Sequence, residues 1–329
     1  MATSRIFLSS IVKETICQYL SFEDAIQFRD ALKLSSLKCP ITIIDSIGSK
    51  EIILPGVNST TIRIYELIKK YGLNLAFIKA VKNGRNSVVQ TLITVGANIE
   101  AVDKERRSAL IIASTNGYDS IVQTLISAGA NVEAVDQFGK TALILASIYD
   151  QNSVVKTLTT IGANIEAVDR YGRTPLMHAS VNGRDSVVQT LIAAGANIEA
   201  VDQSGWTALL LASKNGHNSV VQTLINAGAN IEAVDQSGWT VLMYASANGH
   251  NSVFQTLIAA GANVEAVDRF GQTALMLASM HGRDFVVQTL ITAGADVNTV
   301  SQSGWTALRW ASANDYQKII KYLKAAGSH

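Results

Sequence analysis

Two adjacent stretches of the sequence are nearly identical. Residues 202–234 read DQSGWTALLLASKNGHNSVVQTLINAGANIEAV, and residues 235–267 read DQSGWTVLMYASANGHNSVFQTLIAAGANVEAV. The glycine of their Gly-Ala-Asn sequence, which becomes Gly-Ala-Asp in one copy, recurs at one fixed period, at Gly96, Gly129, Gly162, Gly195, Gly228, Gly261 and Gly294. A sequence that repeats at one period predicts a stack of similar units, each contacting its neighbours, because a single globular core would need dissimilar neighbours.

Each copy contains the start and stop signals of two helices. Asp202 opens a tight turn, and Thr207 then precedes a short apolar run, as a helix N-cap does. A second helix follows Asn218, whose position holds Asn or Asp in every repeat but the last and which we interpret as a second N-cap. That helix is predicted to stop at Gly228, because glycine readily adopts a left-handed backbone. The pattern therefore predicts a first helix, a turn, a second helix and an extended finger.

The copy at residues 169–200, DRYGRTPLMHASVNGRDSVVQTLIAAGANIEA, resembles the ankyrin repeat, whose pattern is D-x-x-G-x-T-P-L-H-x-A-A-x-x-G-H…V-V…L-L…G-A-x-x-N. His178 lies one residue after the position of the family's His. The resemblance implies an all-α fold, an ankyrin-repeat α-solenoid with a β-finger in each repeat, over residues 61–329. The predicted repeats lie at about 70–102, 103–135, 136–168, 169–201, 202–234, 235–267, 268–300 and 301–329.

Residues 1–60 differ from the repeats and are predicted to form a small helical module with a linker. Leu8, Ile16 and Leu20 recur at helical spacing, and the module resembles an F-box, which docks onto the adaptor of cullin-RING ubiquitin ligases. A plain helical cap for the repeat stack is the alternative. Residues 39–56 are rich in β-branched side chains and predict a hairpin or an extended linker.

Composition excludes several functional classes. The 27 Lys and Arg residues nearly balance the 26 Asp and Glu residues, so no strongly basic face is expected and nucleic acid is not a predicted partner. No apolar stretch is long enough to span a bilayer, so no membrane partner is expected. Cys17 and Cys39 are the two cysteines, which favours a reducing compartment. We expect a monomeric cytoplasmic protein, with the nucleus as the alternative location.

The sequence contains no pattern typical of an enzyme or a metal site. Its histidines fall mostly in turns of separate repeats, no His/Cys/Asp group has metal-ligand spacing, and no Gly-rich phosphate loop is present. We therefore expect no catalytic residue, no metal and no cofactor. The recurring Glu and Asp residues, such as Glu199 and Asp202, are interpreted as turn caps and hydrogen-bond acceptors between fingers, and attraction of a basic partner is the alternative.

The finger tips, the four residues between the opening Asp or Ser and the capping Thr, differ most between repeats. Three tips place Phe or Tyr before the Gly, and three place Trp after it. Packing between fingers is one interpretation. The other is a protein-binding surface, because aromatic and Arg side chains dominate such interfaces.

The resemblance implies that the tips and first helices line a concave binding face. On this basis we predict a non-enzymatic protein–protein interaction scaffold, whose partner the sequence does not identify. The alternative is a substrate receptor that binds a ubiquitin-ligase adaptor through residues 1–60. The candidate partner-binding residues are Phe138, Lys140, Tyr149, Arg170, Tyr171, Arg173, Trp206, Trp239, Arg269, Phe270 and Trp305. Among these, Trp206 and Trp239 are expected to contribute most to binding.

Overall fold

The computed structural model of the protein describes residue 68 and residues 71–328. The F-box-like module predicted within residues 1–60 and the hairpin predicted at 39–56 lie outside the described residues. The chain divides into two compact units, Met1–Gln137 and Phe138–His329, which we call the N-terminal unit and the C-terminal unit. Each unit is described separately.

The described residues of both units form pairs of helices, one pair per repeat. The N-terminal unit contains α1 Leu73–Lys82, α2 Asn86–Thr94, α3 Ala109–Thr115 and α4 Asp119–Ser127. The C-terminal unit contains α5 Ala142–Ile148, α6 Asn152–Thr160, α7 Pro175–Val181, α8 Asp185–Ala193, α9 Ala208–Lys214, α10 Asn218–Asn226, α11 Val241–Asn248, α12 Asn251–Ala259, α13 Ala274–Met280, α14 Asp284–Thr292, α15 Ala307–Ala313 and α16 Gln317–Ala325. Odd-numbered helices are the first helices of their repeats and even-numbered helices are the second. The predicted repetition of helix, turn and helix is confirmed.

The first helices of the C-terminal unit begin at threonine N-caps, as predicted. The Thr207 side-chain oxygen accepts a hydrogen bond from the backbone N–H of Leu210 at 3.2 Å, which satisfies a donor that the first turn leaves unpaired. The same bond occurs at Thr141, Thr174, Thr240, Thr273 and Thr306. Pro175 occupies the first helical position of α7, where a missing N–H leaves no bond unmade.

The second helices end at glycine, also as predicted. Gly228 has φ +90°, its N–H donates to the carbonyl of Ile225, and the N–H of Ala229 donates to the carbonyl of Leu224. These two bonds form a Schellman motif, which satisfies the last carbonyls of α10 and turns the chain toward the next finger.

The prediction that Asn or Asp caps the second helix is wrong. Asn218 is itself the first residue of α10, and the preceding His217 makes no side-chain cap bond. The side-chain oxygen of Asn218 instead accepts a hydrogen bond from the hydroxyl of Thr256 in the next repeat, at 2.8 Å. Equivalent bonds join Thr124 to Asn86, Thr190 to Asn152 and Thr223 to Asp185. These side-chain oxygens therefore connect neighbouring repeats.

The core lies between the two rows of helices. In the copy at 202–234, Leu209 and Leu210 of the first helix and Val220, Val221 and Leu224 of the second are all buried. Successive first helices pack on one another within each unit, as do successive second helices. Each repeat therefore completes its apolar core with side chains of its neighbours, which is why the repeat is stable as part of a stack.

We expect that Gly228→Val will destabilise the protein by about 1–3 kcal/mol, because a β-branched residue is strained at positive φ. No atom lies within 4 Å of a Cβ added at Gly228, so the cost should come from the backbone alone. Urea denaturation measures the change. Ala227→Val is the matched control, because the adjacent Ala227 is exposed and has φ −83°. Equal effects of the two substitutions would contradict the assigned role of Gly228.

Candidate protein-binding surface

Five finger tips are built on the carboxylate of their opening aspartate. In the finger at 169–173, the N–H of Gly172 donates to the carbonyl of Asp169 and closes a turn. One side-chain oxygen of Asp169 accepts from the backbone N–H groups of Tyr171 at 2.9 Å and Arg173 at 3.1 Å. The equivalent pair of bonds occurs at Asp103, Asp202, Asp235 and Asp268. The aspartate therefore fixes the backbone of the tip.

The second oxygen of two of these aspartates is bound by the first helix of the same repeat. The Nε2 of His178 lies 2.9 Å from Asp169 Oδ2, and because a carboxylate only accepts, this nitrogen carries the hydrogen. The hydroxyl of Tyr244 donates to Asp235 Oδ2 at 2.6 Å. His178 and Tyr244 both lie nine residues after their aspartate, which gives them the same position in the repeat.

Two other aspartates are bound by the preceding finger. Arg173 Nε donates to Asp202 Oδ2 at 3.1 Å, and Trp239 Nε1 donates to Asp268 Oδ2 at 3.1 Å. Leucine replaces the His or Tyr donor in these two repeats, at Leu211 and Leu277. Arg173 and Trp239 therefore join adjacent fingers.

These contacts shift the pKa values of the groups involved. Burial lowers the pKa of His178 and outweighs its contact with Asp169, and the charges of Lys140 and Arg173 lower it further. Burial alone would raise the pKa of Asp169, but the N–H groups of Arg173 and Tyr171 and the ring of His178 lower it. Burial and the bond to Asp235 raise the pKa of Tyr244. The native state thus favours neutral His178 beside ionised Asp169.

The repeated glutamates join the loops of neighbouring repeats. The Oε1 of Glu199 accepts from the backbone N–H of Asn230 at 2.8 Å. The same bond links Glu100 to Asn131, Glu166 to Asn197, Glu232 to Asn263 and Glu265 to Asp296. This confirms the interpretation of Glu and Asp as turn caps and inter-repeat acceptors. One oxygen of each of these glutamates is therefore engaged within the protein.

Two turn histidines have a structural role. His217 Nε2 donates to the carbonyl of Val181 at 3.0 Å, and His250 Nε2 donates to the carbonyl of Lys214 at 2.9 Å. Each carbonyl belongs to the end of the preceding first helix, where no intrahelical donor is available. The side chains of Arg184 and Arg283 make the same contact through Nε.

Backbone hydrogen bonds connect the tips to one another. The N–H of Arg170 donates to the carbonyl of Phe138 at 3.3 Å, and the N–H of Arg269 donates to the carbonyl of Ser237 at 3.2 Å. The fingers approach so closely at Gly238, where φ is +79°, that an added Cβ would lie 3.2 Å from the nitrogen of Arg269. The tips of the C-terminal unit are therefore held in a fixed row.

The aromatic residues that precede the tip glycine project into solvent. Phe138 is 45% exposed, Tyr171 is 60% exposed and Phe270 is 62% exposed. Tyr149, at the end of the first helix α5, is 52% exposed. The Arg170 guanidinium lies over the Phe138 ring at 5.4 Å from its centroid. These large apolar groups lie on the tips and the neighbouring first helix.

The tryptophans that follow the tip glycine pack on first helices instead. The rings of Trp206 and Trp239 lie on Tyr244 of α11, with centroid separations of 4.7 Å and 4.9 Å. Trp305 lies on Trp310 of α15 at 4.2 Å. All three tip tryptophans are half-buried. The sequence suggested one class of tip aromatic, and the structure separates two.

Arg269 and Lys140 are the remaining predicted candidates. Three further residues of this surface were not predicted. Arg269 is exposed, and Lys140 is half-buried and close enough to His178 to affect its pKa. Lys214 Nζ lies 4.6 Å from the Trp206 ring centroid, and the guanidinium of Arg309 lies 4.6 Å from that of Trp305. Lys214, Tyr244 and Arg309 were not predicted, although an aromatic in the first helix accompanies the tip tryptophans in two repeats, which is a signal available from the sequence.

The family model for "Ankyrin repeats (3 copies)" matches the chain in overlapping segments. The matched segments are residues 61–136, 77–169, 128–202, 176–268 and 242–329, which together span 61–329. No curated protein matches the chain. Among the described residues, every helix is too short or too polar to cross a bilayer.

We expect the stability of the protein to fall as the pH is lowered from about 7.5 to about 5. The pKa of His178 is lower in the folded state than its ordinary value of 6.5, so the unfolded state takes up a proton first as the pH falls. The contribution of neutral His178 to stability is complete above the pKa of the unfolded state. It is lost as the pH falls from that value to the lower pKa of the folded state. Urea midpoints measured across this range test the expectation.

His178→Tyr is the matched variant, because Tyr244 makes the equivalent bond in another repeat without titrating in this range. The variant should show a smaller loss of stability over the same pH interval, whatever its absolute stability. Identical pH dependence in the two proteins would rule out His178 as the group responsible.

We expect Ser301→Asp to stabilise the last repeat by about 0.5–1.5 kcal/mol. Trp310 occupies the position of His178 and Tyr244, but its buried Nε1 has no hydrogen-bond partner, because Ser301 replaces the aspartate. An aspartate would accept from Nε1 and from the tip backbone. Hydrogen exchange in α15 and α16 measures the gain.

Ser301→Asn is the matched control. Asparagine can form the same turn through its carbonyl oxygen, but its amide would present N–H donors to the indole N–H. A gain in stability with asparagine as large as that with aspartate would show that the turn, and not the indole bond, is responsible.

Proposed function

We propose that this chain, which belongs to the ankyrin repeat family, is a non-enzymatic scaffold that binds a partner protein on the face formed by its finger tips and first helices. Ankyrin repeats are protein–protein interaction domains, and the matched repeats extend over residues 61–329. The observation that carries the proposal is the exposure of Phe138, Tyr171 and Phe270 on tips whose backbone is fixed.

Exposed aromatic side chains on a rigid backbone are well suited to binding. An aromatic ring buries a large apolar area in an interface, and little conformational entropy is lost if its backbone is already ordered. The tip backbone is held by the opening aspartate and by the neighbouring finger. Phe138 and Tyr171 occupy consecutive fingers, and Tyr149 projects from the first helix of the repeat that begins the C-terminal unit.

The packed candidates contribute in a different way. Trp206 and Trp239 both lie on Tyr244, and Arg173 is paired with Asp202, so these side chains hold the tips in place. Their outer edges remain part of the surface, because they are half-buried. We therefore place the centre of binding at Phe138 and Tyr171 on the tips and at Tyr149 at the end of the first helix α5. Arg170, Lys140, Arg269, Phe270 and Trp305 extend this surface.

The involvement of three histidines in internal contacts supports a non-enzymatic role. His178 binds a turn aspartate, and His217 and His250 bind helix-terminal carbonyls. A general base must be within reach of a substrate proton, whereas these nitrogens already donate to oxygens of the protein. Their chemistry is accounted for by the fold.

The test is affinity purification of the tagged full chain from the cells that produce it, with quantitative mass spectrometry of the captured proteins. The double variant Phe138→Ala/Tyr171→Ala should capture at least about tenfold less of the specific partner, a loss of roughly 1.4 kcal/mol or more. Its urea midpoint should stay close to that of the wild type, because both rings are exposed.

The matched control is Ile161→Ala/Phe285→Ala, which removes two exposed apolar side chains next to α6 and in α14, on the second-helix side. It should capture the partner as the wild type does. Loss of the partner with the control and retention with the tip variant would place the interface on the second helices and refute the proposal. Trp206→Ala/Trp239→Ala should lower both binding and stability, because those rings also pack on Tyr244.

A further inference from the structure

The tips of the C-terminal unit have cationic side chains and no acidic ones. Within the tip residues 137–140, 170–173, 203–206, 236–239, 269–272 and 302–305, the charged side chains are Lys140, Arg170, Arg173 and Arg269. This asymmetry is local, since the whole chain has 27 basic and 26 acidic residues. The tips therefore carry a net positive charge, whereas the whole chain is nearly neutral.

The opening aspartates beneath the tips do not present their charge to a partner. Asp169, Asp202 and Asp268 are buried, and their oxygens accept hydrogen bonds from the tip backbone and from His178, Arg173 or Trp239. Asp202 is also neutralised by its pairing with Arg173.

The first helices add cations beside the aromatic rings. Lys214 is exposed and lies over Trp206, and Arg309 is exposed and lies over Trp305. Together with Lys140, Arg170 and Arg269 they place positive charge along the row of tips. Asp150 after α5 and Asp315 after α15 are the exposed acidic residues at the ends of the first helices of the C-terminal unit, so cations remain in excess. Positive charge and exposed aromatic area therefore occur on the same surface.

We propose that the partner of this surface is an extended acidic segment of a protein, with apolar side chains between its carboxylates. The inference rests on the proposed function and specifies the chemistry of the partner. Carboxylates would be placed against Arg170, Arg269 and Lys214, and apolar groups against Phe138 and Phe270. Opposite charges across an interface accelerate association and select the partner, while the aromatic contacts supply affinity.

The spacing of the tips sets the length of the segment. Neighbouring helices pack about 8–10 Å apart, so the four repeat steps from Phe138 to Phe270 extend over roughly 40 Å. An extended chain advances about 3.3 Å per residue, so about twelve residues would span these fingers. About one side chain in every three of the bound segment would then contact a tip.

A protein segment fits this surface better than a nucleic acid. Single-stranded nucleic acid also stacks on aromatic rings, but its affinity depends on many phosphate contacts along a strongly basic groove. The cations Lys140, Arg170, Lys214, Arg269 and Arg309 come from five different repeats, and the repeat at 235–267 contributes none. Such sparse charges suit a segment in which carboxylates alternate with apolar groups.

The test is selection from a display library of random peptides of about twelve residues, a length that spans the tips at about 3.3 Å per residue, with the purified full chain as target. Enriched peptides should contain an excess of Asp and Glu together with apolar residues. The Arg170→Glu/Arg269→Glu variant should bind them at least about tenfold more weakly, and raised salt should weaken binding to the wild type.

Lys156→Glu/Lys321→Glu is the matched control, because it reverses two exposed cations on the second helices α6 and α16. It should bind the selected peptides as the wild type does. Enrichment of neutral or basic peptides, failure to enrich any peptide, or tighter binding of a single-stranded DNA of equal length would each overturn the inference.

The two proposals fail in different ways. If Phe138→Ala/Tyr171→Ala abolishes binding of selected peptides that are not acidic, the inference about charge is wrong and the binding surface stands. If that variant binds the selected peptides as the wild type does, the binding surface itself is wrong.

Discussion

The buried carboxylate of the opening aspartate is the interaction on which the rest of the repeat array depends. A buried charge is costly unless its oxygens are fully hydrogen-bonded. Asp202 meets this need with two backbone N–H groups of its own tip and with Arg173 of the preceding finger. Asp268 does so with Trp239. Because these donors come from the neighbouring repeat, the turn, the finger and the stack are stabilised together.

Features governed by local hydrogen bonds could be predicted from the sequence. The Thr207 cap and the Gly228 stop depend on backbone groups within one helix, so their residue types identify them. Asn218 shows where this reasoning ends. An Asn oxygen can cap its own helix or accept from a neighbour, and only the arrangement of repeats brings the Thr256 hydroxyl to it. A threonine at the equivalent position of other repeats was the available signal.

The candidate surface was predictable in position but not in its division into exposed and packed rings. The sequence shows one aromatic per tip, and comparing the tips suggested a single class. The structure separates Tyr171, which is exposed, from Trp206, which packs on Tyr244. The residue before the glycine projects into solvent, while the residue after it lies against the first helix. Aromatic rings at two positions of the same turn, one before and one after the glycine, therefore lie in different environments.

Because each tip backbone is fixed by contacts that do not involve the side chain before its glycine, that side chain can vary between repeats with little effect on folding. The carboxylate of Asp169 binds the N–H of Tyr171, a group that every residue except proline provides. The position after the glycine is more restricted, because Arg173 and Trp239 at that position bind the aspartate of the next repeat. Selection for binding of a partner can therefore act on the residue before the glycine with little effect on stability. The exposure of Phe138, Tyr171 and Phe270 at that position is consistent with such selection, because an exposed aromatic ring contributes little to folding.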